Sequence, residues 1–127
     1  MAKTTALKRV RGLGSAHEGV SHWWNQKLTA GSNFLLLAWL MISLATRPSY
    51  GYPAMHAWLA SPWVAVPMVL LIVSVFYHFR LGLQVVIEDY QHNESRVVAM
   101  VLLNLFTVAT AATAIFSILK IAFGASA

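Results

Sequence analysis

The sequence contains no cysteine and only four acidic residues, and charged residues of both signs make up 10% of its 127 positions. The first absence excludes disulfides, iron–sulfur ligation and thiol chemistry by this chain alone. The scarcity of charge excludes an ordinary water-soluble domain, where roughly a quarter of residues are charged and clothe the surface. What fills the gap is apolar, since 58% of residues are hydrophobic. That composition points to an exterior facing lipid. The length allows a single domain over residues 1–127, with no room for a soluble module beside the apolar spans.

The formal charge of +5 does not amount to a nucleic-acid surface. Lys3, Lys8, Arg9, Arg11 and Lys27 gather at the amino end, where membrane orientation explains them more simply. No nucleic-acid partner is expected.

A bilayer core about 30 Å thick needs about 20 mostly apolar helical residues. The stretches 28–46, 62–87 and 97–123 meet that requirement. Unsatisfied backbone groups are too costly in lipid for isolated strands. The expected fold class is therefore all-α, an integral membrane protein of three transmembrane helices. The first connection, 47–61, carries Pro48, Gly51, Tyr52 and Pro53, which break a helix. Trp58, with Trp63 just beyond, suits an interfacial aromatic belt. The second connection, 88–96, is short and polar, which makes the helices on either side antiparallel neighbours.

Positive charge sets orientation. The amino-terminal segment is rich in Lys and Arg, while the first connection holds only Arg47. The amino terminus is therefore expected on the cytoplasmic or matrix side, with the 88–96 link, and the carboxyl terminus opposite. A transit peptide is a rival reading of the first 27 residues, which are basic and poor in acid. They lack the apolar core of a secretory signal, and His22, Trp23 and Trp24 look like an interfacial anchor before the first span.

Ionisable groups at membrane depth are expensive and mark functional candidates. The second span holds His78 and Arg80 inside it and Glu88, Asp89 and Tyr90 at its end. His78 and Asp89 are 11 residues apart, which places them on one helix face about 16 Å apart along the axis. Gly82 lies one turn beyond His78 on nearly the same face. An imidazole beside a patch without a side chain leaves space for a flat group. Haem is such a group, and histidine is a common axial ligand to its iron. On local pattern alone the favoured reading is a bundle histidine hydrogen-bonded to a neighbouring helix, since one ligand is a weak signal. Arg80 falls on the other side, with Gln84 one turn on. It is expected to snorkel toward the interface or to pair with an anionic group of a partner. In the third span Asn104 and the small-residue run 108–114 permit close packing and interhelical hydrogen bonds. Ala30, Gly31, Ser32 and Asn33 form a similar run in the first span.

The segment His78-Phe79-Arg80-Leu81-Gly82-Leu83-Gln84-Val85-Val86-Ile87-Glu88-Asp89-Tyr90 resembles the signature of the small hydrophobic membrane anchors of succinate dehydrogenase. That pattern is a histidine, a glycine four residues on, Gln-Val, and an Asp-Tyr pair closing the helix. The resemblance covers essentially the whole chain, and its specific part is this segment. It implies a subunit of succinate:quinone oxidoreductase (complex II), packed with a second membrane anchor, the cytochrome b subunit, into a helix bundle. A flavoprotein subunit and an iron–sulfur subunit would complete the complex. By resemblance His78 is one axial ligand of a haem b shared with the partner anchor. Tyr90 hydrogen-bonds a carbonyl of ubiquinone, and Asp89 tunes it or delivers protons. The segments 14–18 and 27–30 resemble the family's pre-helix region, where a basic residue, often Arg, sits near the haem propionates. Here that residue is Lys27, which keeps the charge but not the bidentate geometry.

Other readings remain beside this one. A fumarate reductase anchor runs the reverse reaction on similar architecture. A small transporter usually places an acid deep in a span, whereas here the acids of the second span cluster at its end. A purely structural anchor would use His78 only for a hydrogen bond. A bacterial cytoplasmic membrane is favoured over the mitochondrial inner membrane.

Overall fold

The computed structural model describes Ala6 and residues 19–124. The basic residues Lys3, Lys8, Arg9 and Arg11 and the 14–18 segment lie outside the described residues. From Gly19 onward the chain forms four helices in order: α1 (Gly19–Ala45), α2 (Tyr52–Ala60), α3 (Pro62–Tyr90) and α4 (Asn93–Phe123). No strand occurs among the described residues. Helices α1, α3 and α4 are long and apolar enough to cross a membrane. The all-α, three-span expectation is borne out.

These three helices contain 27, 29 and 31 residues, roughly 40–47 Å each at helical rise. That exceeds the hydrocarbon thickness, so their ends reach into the polar interface. The expected spans began at 28 and 97, where hydropathy rises. The helices begin earlier, at Gly19 and Asn93, because polar residues in the interface continue a helix as readily as apolar ones.

The first connection differs from expectation. It contains a nine-residue helix, α2, despite Pro53. Proline breaks a helix interior but is tolerated in the first turn, where its missing N–H has no intrahelical role. Pro53 occupies that position in α2, and Pro62 does so in α3. Ser61 ends one helix and begins the next in extended conformation, its N–H donating to the Trp58 carbonyl at 3.2 Å. The result is a sharp corner. Trp58, expected in an interfacial belt, is buried within that corner with the Arg47 guanidinium over its ring at 5.7 Å. Trp63, five residues on, remains outward at 87% exposure.

Helix α3 is the centre of the bundle. It packs against α1, α4 and α2, whereas α1 touches no helix but α3 among the described residues. Phe79 meets Phe106 and Glu88 meets Arg96, so partners on α4 fall in number as those on α3 rise. The helices are antiparallel neighbours, as the short link required. Only Gln91 and His92 lie outside helix in that link. The reversal is completed by Asn93 at φ 54°, a left-handed conformation that asparagine tolerates better than most residues.

Buried apolar side chains are few: Trp58, Val64, Ala65, Leu71, Leu81, Leu103 and Ile118. None belongs to α1. Phe34, Leu35, Met41 and Ile42 of α1 are each about two-thirds or more exposed. In water this surface would be untenable; against lipid or another membrane chain it is ordinary.

Candidate functional site

The site is built where the amino-terminal half of α1 crosses the carboxyl-terminal half of α3. Asn25 and Thr29 are four residues apart on α1 and so share a face. Facing them on α3 are Ser74, Tyr77 and His78. The Asn25 side-chain amide donates to the Tyr77 hydroxyl at 3.3 Å, and the Ser74 hydroxyl donates to the Thr29 carbonyl at 3.4 Å. Between these two bonds the Thr29 hydroxyl meets His78 Nδ1 at 2.9 Å.

The direction of that last bond follows from proton counting. Thr29 Oγ1 lies 2.7 Å from the Asn25 carbonyl and 3.2 Å from that of Gln26. Carbonyls only accept, and a hydroxyl has one proton. The Thr29 proton therefore points back into α1, and the Thr29 oxygen accepts from His78 Nδ1–H. The imidazole is thus left with its Nε2 lone pair, the atom through which a neutral histidine ligates a metal. A hydrogen bond between the His78 ring and a neighbouring helix is the reading the local pattern favours. The bond exists, and it is compatible with ligation because it occupies only Nδ1.

A Cβ built on Gly82 would meet only Gln26 Nε2, at 3.8 Å, an ordinary contact. This chain therefore does not pack tightly over Gly82. Gln26 Oε1 and His22 Nε2 are buried yet have no hydrogen-bond partner. Buried polar atoms are nearly always paired, so these two are open to a further partner, as are Asn33 Oδ1 and Arg47 Nε elsewhere in the bundle. His22 also lines a cleft of about 270 Å³ with Gly19, Gln84, Val85 and Glu88. A half-buried histidine with a free Nε2, a bare glycine one turn on, and unsatisfied amide and imidazole atoms fit a flat, metal-centred group bearing polar edges.

Other residues are placed as follows. Tyr90 is the last residue of α3 and is 77% exposed, with its hydroxyl open to a ligand or partner. Asp89 is exposed beside it and makes no hydrogen bond or ion pair among the described residues. Two carboxylates at a helix carboxyl end oppose the macrodipole, typically at about 0.3–1 kcal/mol each. Glu88 offsets this by accepting from Gln84 at 3.0 Å and pairing with Arg96 at 3.6 Å. Asp89 has no such compensation. Lys27 is exposed, with its ammonium 5.8 Å from the Trp23 ring centre. It lies two positions before Thr29, so the two side chains leave α1 about 200° apart. The structure brings together His78, Gly82 and Thr29, and separately Asp89 and Tyr90. It does not bring Lys27 to His78.

Arg80 departs from the snorkelling expectation. Its Nε donates sideways to Asn104 Oδ1 on α4. A lateral acceptor at membrane depth holds the guanidinium without a climb to the interface. The hydroxyls of α4, by contrast, bond within their own helix. Thr107, Thr110, Thr113 and Ser117 each donate to the carbonyl four residues back, at 2.7–2.8 Å. Back-bonding satisfies each hydroxyl within its own helix. Asn25, Ser74 and Tyr77 had no signal in the sequence, because their roles arise only from the register of α1 on α3.

These features define a three-span helical membrane subunit with a polar site at one end. Residues 1–116 match the family described as succinate dehydrogenase/fumarate reductase transmembrane subunit. A succinate dehydrogenase hydrophobic membrane anchor subunit of Paracoccus denitrificans is 29% identical over 98% of this chain and 97% of its own length. Its counterpart in Rickettsia bellii (strain RML369-C) is 30% identical over 82% of this chain and 84% of its own. No solved structure matches the chain. The chain belongs to the succinate dehydrogenase/fumarate reductase transmembrane subunit family.

Proposed function

We propose that the chain is the hydrophobic anchor of a succinate:quinone oxidoreductase, contributing one axial ligand to a b-type haem and a hydroxyl to the quinone-reduction site. The observation that carries the reading is the placement of His78, whose Nδ1 lies 2.9 Å from the Thr29 hydroxyl while Nε2 has no partner among the described residues, one turn from Gly82. The relatives' names and the family match support the complex to which this anchor would belong.

His78 Nε2 would hold the haem iron, and the bare surface at Gly82 would leave room for the macrocycle. When bound, the haem would supply a one-electron redox centre. Lys27 is assigned to a propionate by resemblance; its charge and exposure support that role, and proximity to His78 does not. Reduction of ubiquinone to its quinol takes two electrons and two protons. The Tyr90 phenol donates a hydrogen bond to a quinone carbonyl, where negative charge develops as electrons arrive. Asp89, at the water boundary and uncompensated among the described residues, relays protons to that oxygen. An amphipathic quinone suits the position of both residues at a helix end.

Catalysis of succinate oxidation needs groups this chain lacks, since it has no cysteine for clusters. It therefore acts with a second membrane anchor, an iron–sulfur subunit and a flavoprotein subunit, and is inactive alone. Bacterial relatives and the basic amino end support a bacterial cytoplasmic membrane with that end cytoplasmic.

The direct test is succinate-driven quinone reduction by material purified through a tag on this chain in mild detergent. Flavin and iron–sulfur subunits should copurify, and Tyr90→Phe should slow quinone reduction while leaving succinate oxidation with an artificial acceptor intact. Copurification of neither subunit, with no activity, would refute the reading.

A further inference from the structure

We propose that Thr29 is a positioning residue for His78: its hydroxyl fixes the imidazole in one tautomer and one ring orientation, so that Nε2 is the nitrogen presented for ligation. The inference rests on the reading of His78 as an axial ligand and adds a residue on another helix that sets that ligand's chemistry.

The geometry leaves the hydroxyl little choice. Its proton is committed to the Asn25 carbonyl at 2.7 Å, so toward His78 it is only an acceptor. An acceptor opposite Nδ1 selects the Nδ1–H tautomer and makes the Nε2 lone pair more basic, the arrangement common behind metal-bound histidines. The oxygen is also held in place. Asn25 is tied to Tyr77 one turn to one side, and Ser74 is tied to the Thr29 carbonyl on the other. Thr29 and His78 are both only partly exposed, so water competes poorly for the bond.

A more basic ligand favours the ferric over the ferrous state and lowers the midpoint potential. Losing the Thr29 acceptor should do the reverse. A simple helix clamp makes a different prediction, because a clamp is shared with the Asn25–Tyr77 bond, whereas the tautomer depends on Thr29 alone.

The experiment is optical redox titration of the haem, with haem content per flavin, in the complex purified through a tag on this chain. The variants are Thr29→Val, Thr29→Ser and Tyr77→Phe. Thr29→Val keeps the shape and removes the acceptor. It should raise the potential by about 59 mV, the one-electron equivalent of a tenfold change in ferrous against ferric preference, and lower haem affinity about tenfold. Thr29→Ser should restore both, and Tyr77→Phe should leave the potential where it was. If Thr29→Val reduces assembly, the potential is read on the assembled fraction and on Thr29→Ala, for which the same rise is expected. A wild-type potential in Thr29→Val, or an equal shift in Tyr77→Phe, would overturn the role of Thr29 while leaving His78 as ligand. Wild-type complex with flavin but no haem would instead overturn the ligand reading itself.

Discussion

The two ends of this bundle are built on opposite terms. At the α2 end, Trp58, Val64, Ala65, Leu71 and Ile118 are buried by the chain's own helices, and a proline-started corner fixes the geometry. At the other end the buried apolar side chains run out beyond Leu81 on α3, and polar residues take over. There His22 Nε2 and Gln26 Oε1 are buried without partners, Asp89 opposes a helix dipole uncompensated, and Tyr90 stands open. The contrast is not absolute, since Arg47 Nε at the α2 end also lacks a hydrogen-bond acceptor, though its guanidinium lies over Trp58. Asn33 Oδ1, midway along α1, is unpaired as well, so the ends differ in degree: the α2 end holds most of the buried apolar side chains, and the other leaves its polar groups open. Local rules broken without compensation within a chain are expected where function or assembly supplies the compensation.

Substitutions at the two ends should therefore fail in different ways. The largest effect belongs to Tyr90→Phe, which removes one donor to developing negative charge and should lower the quinone-reduction rate about a hundredfold. Steady-state kinetics with a soluble quinone analogue will measure it, and assembly should be unchanged. Asp89→Asn should cost roughly a hundredfold at most by losing the proton relay. A rate near wild type would remove Asp89 from the chemistry. At the other end Trp58→Ala should destabilise the complex by about 3 kcal/mol through the cavity it leaves, lowering its melting temperature without moving the haem spectrum. Weakest of all, Arg96→Gln breaks an exposed ion pair with Glu88 and should change stability by less than about 1 kcal/mol. If Trp58→Ala altered the quinone reaction as strongly as Tyr90→Phe, the division between the ends would collapse.

Much of this arrangement was legible in the sequence, for identifiable reasons. Hydropathy over about 20 residues is a strong signal, and it located three spans because an apolar run of that length satisfies its own backbone in lipid only as a helix. The short polar link foretold the antiparallel packing of α3 on α4. His78 and Asp89 stood out because ionisable groups in a span are rare, Gly82 because it lies one turn from His78, and Tyr90 through the resembling segment. Helix α2 was hidden because Pro53 reads as a breaker, and only its position within the first turn makes it a starter. The burial of Trp58 was hidden with it. Thr29 was legible only as part of a short resembling segment. A threonine in a span is unremarkable until the register of α1 on α3 sets it 2.9 Å from an imidazole nitrogen. Arg80 shows the same limit, since its acceptor, Asn104, lies on a different helix.

The most direct test of the claim that His78 and its surroundings are completed by haem is an optical spectrum. The wild-type complex and His78→Ala, each purified through a tag on this chain, would be reduced with dithionite and compared at equal flavin content. The account predicts a reduced b-type spectrum in the wild type and at least about a tenfold loss of it in His78→Ala. Equal haem per flavin in the two preparations, or none in the wild type, would contradict it.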